Sequence, residues 1–185
     1  MTNKIVAICA GHNSQKDSGA VAKDGTTEEE LVVNVRNAVA SYFHKHKDVH
    51  VRVDGYGKTN LSLTEAVKLI KGSDVAIEWH LNASENKTAG GTETISLQKD
   101  KHLSQKISKA ISEVLGTKLR GDKGHISQEQ SARGKLAFVS NGGIIIETCF
   151  ISNSNELKAY EEKYWLVAKA VYHVLCEYLG ITALS

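Results

Sequence analysis

The chain has few cysteines and no long apolar run, and these two features restrict the classes of protein to which it can belong. Three of the 185 residues are cysteine, Cys9, Cys149 and Cys176, and their spacing matches no zinc or redox motif. Each lies in an apolar segment, so we expect buried, reduced thiols. No stretch approaches the roughly 20 apolar residues of a membrane span. Proline is absent altogether, and composition offers no physical reason for it.

The charge balance argues against a nucleic-acid partner. The chain has 23 lysines and arginines against 21 aspartates and glutamates, a formal charge of +2, and the lysines do not gather into a basic stripe. Hydrophobic residues make up 41% and charged residues 24%, which is ordinary for a globular protein. We expect one domain over residues 1–185, monomeric, with a core that needs no disulfides.

The N-terminal apolar run favours a cytosolic site of synthesis. Residues 5–10 are fewer than the about 7–15 apolar residues of a signal-peptide core. They lead directly into Gly11 and His12, which are better explained by chemistry than by targeting. No Gly-x-Gly-x-x-Gly follows this first segment, so a nucleotide-binding role is not indicated.

Apolar periodicity divides the chain into alternating strand-like and helix-like segments, which is typical of an α/β domain. A polar loop after the first strand leads to a helix capped by Thr26 or Thr27. Residues 116–135 are predicted to be a surface loop over one edge. The predicted strands are 5–10, 49–53, 75–80, 92–97, 136–139 and 144–147, and the predicted helices are 28–42, 61–70, 103–115 and 155–179.

Three of the predicted strands end on residue types that bind metals. His12 follows the first strand, His80 ends the third, and Glu147 ends the last. Ligands of open α/β sheets bind beyond the carboxyl ends of the strands. Two imidazoles and a carboxylate at that edge are what a catalytic zinc site requires.

Glu147 is the most informative of these residues. It follows three isoleucines, 144–146, where an unpaired charge is expensive. Such an acid is usually paired, metal-bound or catalytic. A glutamate beside a zinc site can act as the general base of hydrolysis, and a structural salt bridge is the alternative.

Other readings of the polar residues remain open at this point. His12 and His80 could be ordinary hydrogen-bonded histidines at turns. A third ligand could come from the first helix, where Glu28, Glu29 and Glu30 crowd one turn; only one of them can face the site, since neighbours are about 100° apart. The cluster His44, His46 and His50 is predicted to be a solvated helix end rather than a metal site.

The sequence resembles a known family, the zinc-dependent N-acetylmuramoyl-L-alanine amidases of the type 3 class, found in bacterial autolysins and phage endolysins. The matching segments occur in the family's order and span almost the whole chain. They are Gly11-His12, 17–20 (Asp-Ser-Gly-Ala), 30–34 (Glu-Leu-Val-Val-Asn), 80–83 (His-Leu-Asn-Ala), 91–93 (Gly-Thr-Glu) and 146–153 (Ile-Glu-Thr-Cys-Phe-Ile-Ser-Asn). The last segment is the most specific of them.

The resemblance implies a fold and a zinc site. The fold would be α/β, a single domain with a twisted, mostly parallel sheet of about six strands and helices on both faces. Zinc, one ion per chain, would be held by His12, Glu30 and His80, and Glu147 would be the catalytic glutamate. Glu30 is chosen over its neighbours because the family's ligand stands four residues before the asparagine matched by Asn34.

The implied reaction is cleavage of the amide bond between N-acetylmuramic acid and L-alanine of peptidoglycan. Asn82 is a candidate for substrate binding. A phage endolysin that collects in the host cytoplasm and then acts on the cell wall is the expected setting, with a cytosolic bacterial amidase as the other. The competing functions are a zinc peptidase that cuts within the stem peptide and a non-catalytic wall-binding domain.

One departure from the family's pattern concerns the second histidine. Many members have a serine two residues before it, where this chain has Glu78. Strand alternation would put Glu78 on the same side as His80, as a partner of that histidine or as a competing ligand.

Overall fold

The computed structural model describes residues 3–13, 16–131 and 134–184. Strands and helices alternate along most of the chain, and a short 3-10 turn at Gln98–Asp100 precedes the third helix. The strands are β1 (Lys4–Ala10), β2 (Val49–Val53), β3 (Val75–Asn82), β4 (Glu93–Ser96), β5 (His125–Ser127) and β6 (Ile144–Phe150). The helices are α1 (Glu28–Phe43), α2 (Leu63–Ile70), α3 (Lys101–Leu115), α4 (Ala137–Ser140) and α5 (Ser154–Leu179).

The six strands form one sheet in the order β2-β1-β3-β6-β4-β5. The first four are parallel to one another. β4 runs antiparallel to β6, and β5 is parallel to β4. The predicted mostly parallel sheet of about six strands is therefore confirmed. The carboxyl ends of β1, β3 and β6 meet at one edge, which places His12, His80 and Glu147 in the same region.

Helices cover both faces of the sheet, as predicted. Alternate residues of β1 show this directly. Val6 and Ile8 belong to a large buried cluster that includes the apolar faces of α1, α3 and α5. Ala7 and Cys9 face a smaller cluster with α2 and α4. Because the side-chain period of a strand is two, a strand buried on both faces needs the continuous apolar run that β1 has.

The predicted strand at 136–139 is wrong. This segment contains α4, a single helical turn with Phe138 and Val139 buried. A short apolar run can be either a strand or a buried helical turn, and periodicity alone does not separate them. The predicted loop 116–135 contains β5, whose three residues carry no apolar pattern and which forms by pairing with the outer edge of β4.

Cys9, Cys149 and Cys176 are free and buried, as predicted. Among the helices of the described residues, none has the length and apolarity needed to cross a membrane.

A buried ion pair fixes the chain that follows β1. Arg36 on α1 and Asp54 after β2 are fully buried, with Nη1 and Oδ1 3.0 Å apart. The other carboxylate oxygen of Asp54 accepts a hydrogen bond from the Ala10 amide at 3.0 Å. Burial raises the pKa of the Asp54 carboxyl to about 6, although Arg36 opposes the shift.

Asn60 connects this ion pair to the loop that contains His12. Arg36 Nη1 donates to Asn60 Oδ1 at 3.3 Å. The amide nitrogen of Asn60 donates in turn to the carbonyls of Ala10, Gly11 and His12, at 2.7, 3.1 and 2.7 Å. The hydrogen bonds from Asn60 therefore hold the backbone around His12 independently of the histidine side chain.

The Arg36–Asp54 pair yields a stability prediction. Arg36→Met should lower the free energy of unfolding by about 3–5 kcal/mol, because it leaves Asp54 buried without its counter-charge. The matched control is Lys68→Met, which breaks the exposed Lys68–Glu65 pair at 2.7 Å and should cost less than about 1 kcal/mol. Urea unfolding at pH 7.5 measures both.

The stability lost in Arg36→Met should shrink as the pH falls from 7.5 to about 6, the folded pKa of Asp54 in the unaltered protein. The folded pKa of Asp54 already lies above its ordinary value and should rise further without Arg36. Above about pH 6, folding of the variant then takes up a proton, so the variant loses more stability than the unaltered protein as the pH rises. Equal losses in the two variants, or a deficit independent of pH, would contradict this account of the pair.

Candidate metal centre

His12 leaves β1 in a strained backbone conformation. Its φ is 68°, in the left-handed region, which costs a non-glycine residue about 1–2 kcal/mol. The hydrogen bond from Asn60 to its carbonyl holds this conformation. Its side chain is only 10% exposed. Strained residues of this kind cluster at functional sites.

His80 lies near the end of β3 and packs against the chain after β1. The rings of His12 and His80 are 5.0 Å apart between centroids and nearly perpendicular. A Cβ on Gly11 would overlap the His80 ring. A glycine is thus required there, and the Gly-His pair of the sequence supplies both the space and the second imidazole.

Glu28 joins the two histidines. It is the first residue of α1 and is 1% exposed. Its Oε2 lies 3.0 Å from His12 Nε2, and its Oε1 lies 3.1 Å from His80 Nδ1. One ligand atom from each of His12, Glu28 and His80 lies within 4.8 Å of the others, the separation of groups that can share one metal ion.

Backbone amides fix the Glu28 carboxylate. Leu81 N donates to Oε1 at 2.9 Å, and Ala20 N donates to Oε2 at 3.0 Å. A Cβ on Gly19 would lie 2.7 Å from the carboxylate and from the His12 ring. The loop before α1 and the end of β3 therefore close on the same carboxylate.

The electrostatics of the cluster favour a positive charge at its centre. Burial raises the pKa of Glu28, but His12 and His80 lower it by more, so the net pKa lies far below its usual value. Burial lowers the pKa of His80, and the carboxylates of Glu28 and Glu78 raise it by more. The pKa of His12 is raised in the same way, by Glu28. A cation bound among these groups would replace the protons that they attract.

Glu30, predicted as the third ligand, is not with the histidines. It is exposed and forms a capping box with Thr27. The Thr27 amide and hydroxyl donate to Glu30 Oε2 at 3.2 and 3.0 Å. Residues 28 and 30 are about 200° apart around a helix, so only one can face the sheet edge. The Thr-x-x-Glu spacing was the available signal, since it assigns Glu30 to the cap.

Each histidine has a further carboxylate beside the ring nitrogen that does not face Glu28. Asp17 Oδ2 lies 2.9 Å from His12 Nδ1, and Glu78 Oε2 lies 3.1 Å from His80 Nε2. The Asp17 side chain is 63% exposed, whereas that of Glu78 is 5% exposed. Each imidazole therefore has one nitrogen beside Glu28 and the other beside a further carboxylate.

Glu147 lies beside His80 in the sheet. The two are register partners across β3 and β6, and Glu93 is the partner of Glu147 across β4. Glu147 is 4% exposed. Asn82, the candidate for substrate binding, donates from Nδ2 to Glu93 Oε1 at 3.0 Å. Glu93 Oε2 accepts from Arg120 Nε at 2.6 Å.

Two cavities, each of about 350 Å³, adjoin these residues. The first contains His12, Glu78 and His80. The second contains Asn82 and Glu147. Leu136 and Ile145 line both cavities, so the two cavities are neighbours. Sequence reasoning assigned no role in the site to Arg120, Glu93 or these apolar side chains, because only the tertiary contacts bring them there.

The histidines near residue 45 lie apart from the site. His44 and His50 are exposed. His46 Nε2 contacts the Tyr172 hydroxyl at 2.6 Å. They belong to no group of three potential metal ligands in the part of the chain that the structure describes.

The chain is similar to known proteins in sequence and in structure. A curated relative, the amidase AmiA of Escherichia coli K12, is 27% identical over 135 residues, 68% of this chain and 45% of that protein. The chain therefore spans less than half the length of this relative.

Solved structures match over nearly the whole chain. A Neisseria meningitidis protein, provisionally named an N-acetylmuramoyl-L-alanine amidase, is 38% identical with a TM-score of 0.90 and full coverage of both chains. An N-acetylmuramoyl-L-alanine amidase from Clostridium difficile 630 is 26% identical with a TM-score of 0.81, over 97% of this chain and 98% of that one. The family model described as N-acetylmuramoyl-L-alanine amidase matches residues 6–177, and the chain belongs to that family.

Proposed function

We propose that this protein is a zinc-dependent N-acetylmuramoyl-L-alanine amidase with its metal held by His12, Glu28 and His80. The observation that carries the proposal is the convergence of these three side chains on one point. Two imidazoles and a glutamate are a known ligand set of catalytic zinc sites. The sequence-based choice of Glu30 is replaced by Glu28, while both histidines are kept.

One atom of the cluster supports the fit to a metal independently. His12 Nε2 is buried, and it makes no hydrogen bond of acceptable geometry with the described residues, although Glu28 Oε2 is 3.0 Å away. Buried polar atoms are normally hydrogen-bonded, so an exception calls for an explanation. A metal ion accepting its lone pair would provide that partner.

The reaction proposed is hydrolysis of the amide between the muramic acid lactyl group and L-alanine. When bound, zinc supplies a Lewis acid that polarises the amide carbonyl and acidifies water. Glu147 takes a proton from the attacking water as a new C–O bond forms at the carbonyl carbon. The C–N bond then breaks, and Glu147 delivers the proton to the departing amine. The second proton of the water passes from the new carboxylic acid to the amine, so the products are a lactyl carboxylate and an L-alanine ammonium group.

The two cavities suit a substrate that extends on both sides of the scissile bond. Peptidoglycan has a glycan on one side of this amide and a peptide on the other. The first cavity has an apolar wall formed by Leu61, Leu63 and Phe138. The second contains amide, hydroxyl and guanidinium groups from Asn82, Ser84 and Arg120. Asn82 is proposed to bind substrate in this second cavity. A role as a phage endolysin remains a prediction.

Replacing the general base provides the test of the mechanism. Glu147→Gln should lower kcat by about 10²–10⁴-fold, because the amide cannot accept the proton. Zinc content, measured by elemental analysis, should stay near one ion per chain. Activity is measured on purified peptidoglycan by the mass of the released products. New L-alanine amino termini support the proposal, and cuts only within the stem peptide would overturn it. Undiminished kcat in the variant would reject Glu147 as the base.

The ligand set is tested by a pair of variants two residues apart. Glu28→Gln should weaken zinc binding by more than the about 10–100-fold that loss of an outer hydrogen-bond partner costs. Glu30→Gln should leave zinc affinity unchanged, since Glu30 only caps α1 and glutamine can form the same capping box. Competition with a chromogenic chelator measures both affinities. The reverse order would restore Glu30 as the ligand.

A further inference from the structure

We propose that Glu78 is a positioning residue for His80. Its carboxylate accepts a hydrogen bond from Nε2–H of His80, so the Nδ1 lone pair of that histidine lies beside Glu28. The inference rests on the proposed metal centre. It assigns a role to a buried acid that the reaction itself does not use.

The geometry of β3 places Glu78 and His80 on the same face, two residues apart. Glu78 Oε2 and His80 Nε2 are 3.1 Å apart, within hydrogen-bond distance. Glu78 is 4% exposed. Its register neighbours on β1 and β6 are Cys9 and Ile145, neither of which carries a positive charge.

The buried carboxylate of Glu78 is paired with the His80 imidazole. Among the ion pairs of the described residues, Glu78 contacts no lysine or arginine, and its one ion pair is with His80. Burying a carboxylate without such a partner would be expensive. The position of Glu78 is therefore explained by the imidazole, and not by a structural salt bridge elsewhere.

The partners of the two His80 ring nitrogens favour one tautomer. A neutral imidazole has one N–H donor and one acceptor nitrogen. Nδ1 of His80 lies 3.1 Å from Glu28 Oε1, which already accepts the Leu81 amide at 2.9 Å. Among the hydrogen bonds of the described residues, Nε2 has one partner, Glu78. With the proton on Nε2, the Nδ1 lone pair is available to a cation among His12, Glu28 and His80. A carboxylate behind a ligating imidazole also raises its basicity.

The contact between Asp17 and His12 provides an internal comparison. Asp17 Oδ2 lies 2.9 Å from His12 Nδ1, so the distances are similar at the two histidines. The environments differ, because the Asp17 side chain is 63% exposed and that of Glu78 is 5% exposed. Solvent weakens the first contact and not the second. Glu78 is therefore expected to act more strongly on the site than Asp17.

The experiment measures zinc affinity with a chromogenic chelator as competitor. Glu78→Leu removes the acceptor at similar size and should weaken zinc binding by about 10–100-fold. Glu78→Gln keeps an acceptor without the charge, so its loss should be smaller than that of Glu78→Leu. The matched control Asp17→Asn should change the affinity by less than either Glu78 variant. Circular dichroism checks that each variant is folded.

Nitrogen NMR of the histidines in the zinc-loaded protein gives a readout that a merely structural role would not move. The proton of His80 should be on Nε2 in the unaltered protein. Unchanged zinc affinity in both Glu78 variants, or a proton on Nδ1, would overturn the inference while the metal centre stands. Losses above about 1,000-fold in both variants, with one fewer oxygen ligand by X-ray absorption, would make Glu78 a ligand and also overturn it. No zinc uptake by the unaltered protein would overturn the proposed metal centre itself.

Discussion

The burial of the Glu28 carboxylate is the constraint on which the site depends. Its oxygens contact His12 and His80 and accept the amides of Ala20 and Leu81. Through these contacts one side chain connects α1, the loop that precedes it, the chain after β1 and the end of β3. An unpaired carboxylate at this depth would be costly, so each of these elements must take its position for the others to be stable.

The charges at the same sheet edge explain why the site favours a cation. Glu78 and Glu147 are each 4% exposed, and both adjoin His80, the first at 3.1 Å and the second as its register partner. The carboxylates raise the affinity of both imidazoles for protons. A divalent cation would satisfy the same excess of negative charge with one ion. The chemistry of the edge follows from this imbalance more than from any single residue.

Sequence reasoning located the edge of the sheet but not the detail of α1. His12, His80 and Glu147 were predictable because each follows a buried strand, and parallel strands end at a common edge. A family spacing favoured Glu30, whereas the structure uses Glu30 in the cap of α1 and places Glu28 with the two histidines. The turn at α4 and the strand β5 were missed because short segments take their structure from their tertiary neighbours. The Arg36–Asp54 pair joins residues 18 apart and has no local pattern.

Contacts that need no metal hold every proposed ligand. Asn60 holds the His12 backbone, Gly11 leaves the space that His80 fills, and two amides fix Glu28. Small zinc domains differ in this respect, because their metal supplies the folding free energy. Here a six-stranded sheet and its two apolar clusters provide the stability. The strain at His12 can then be maintained by the fold, and a bound cation would meet ligands already in position, which is the arrangement that catalysis requires.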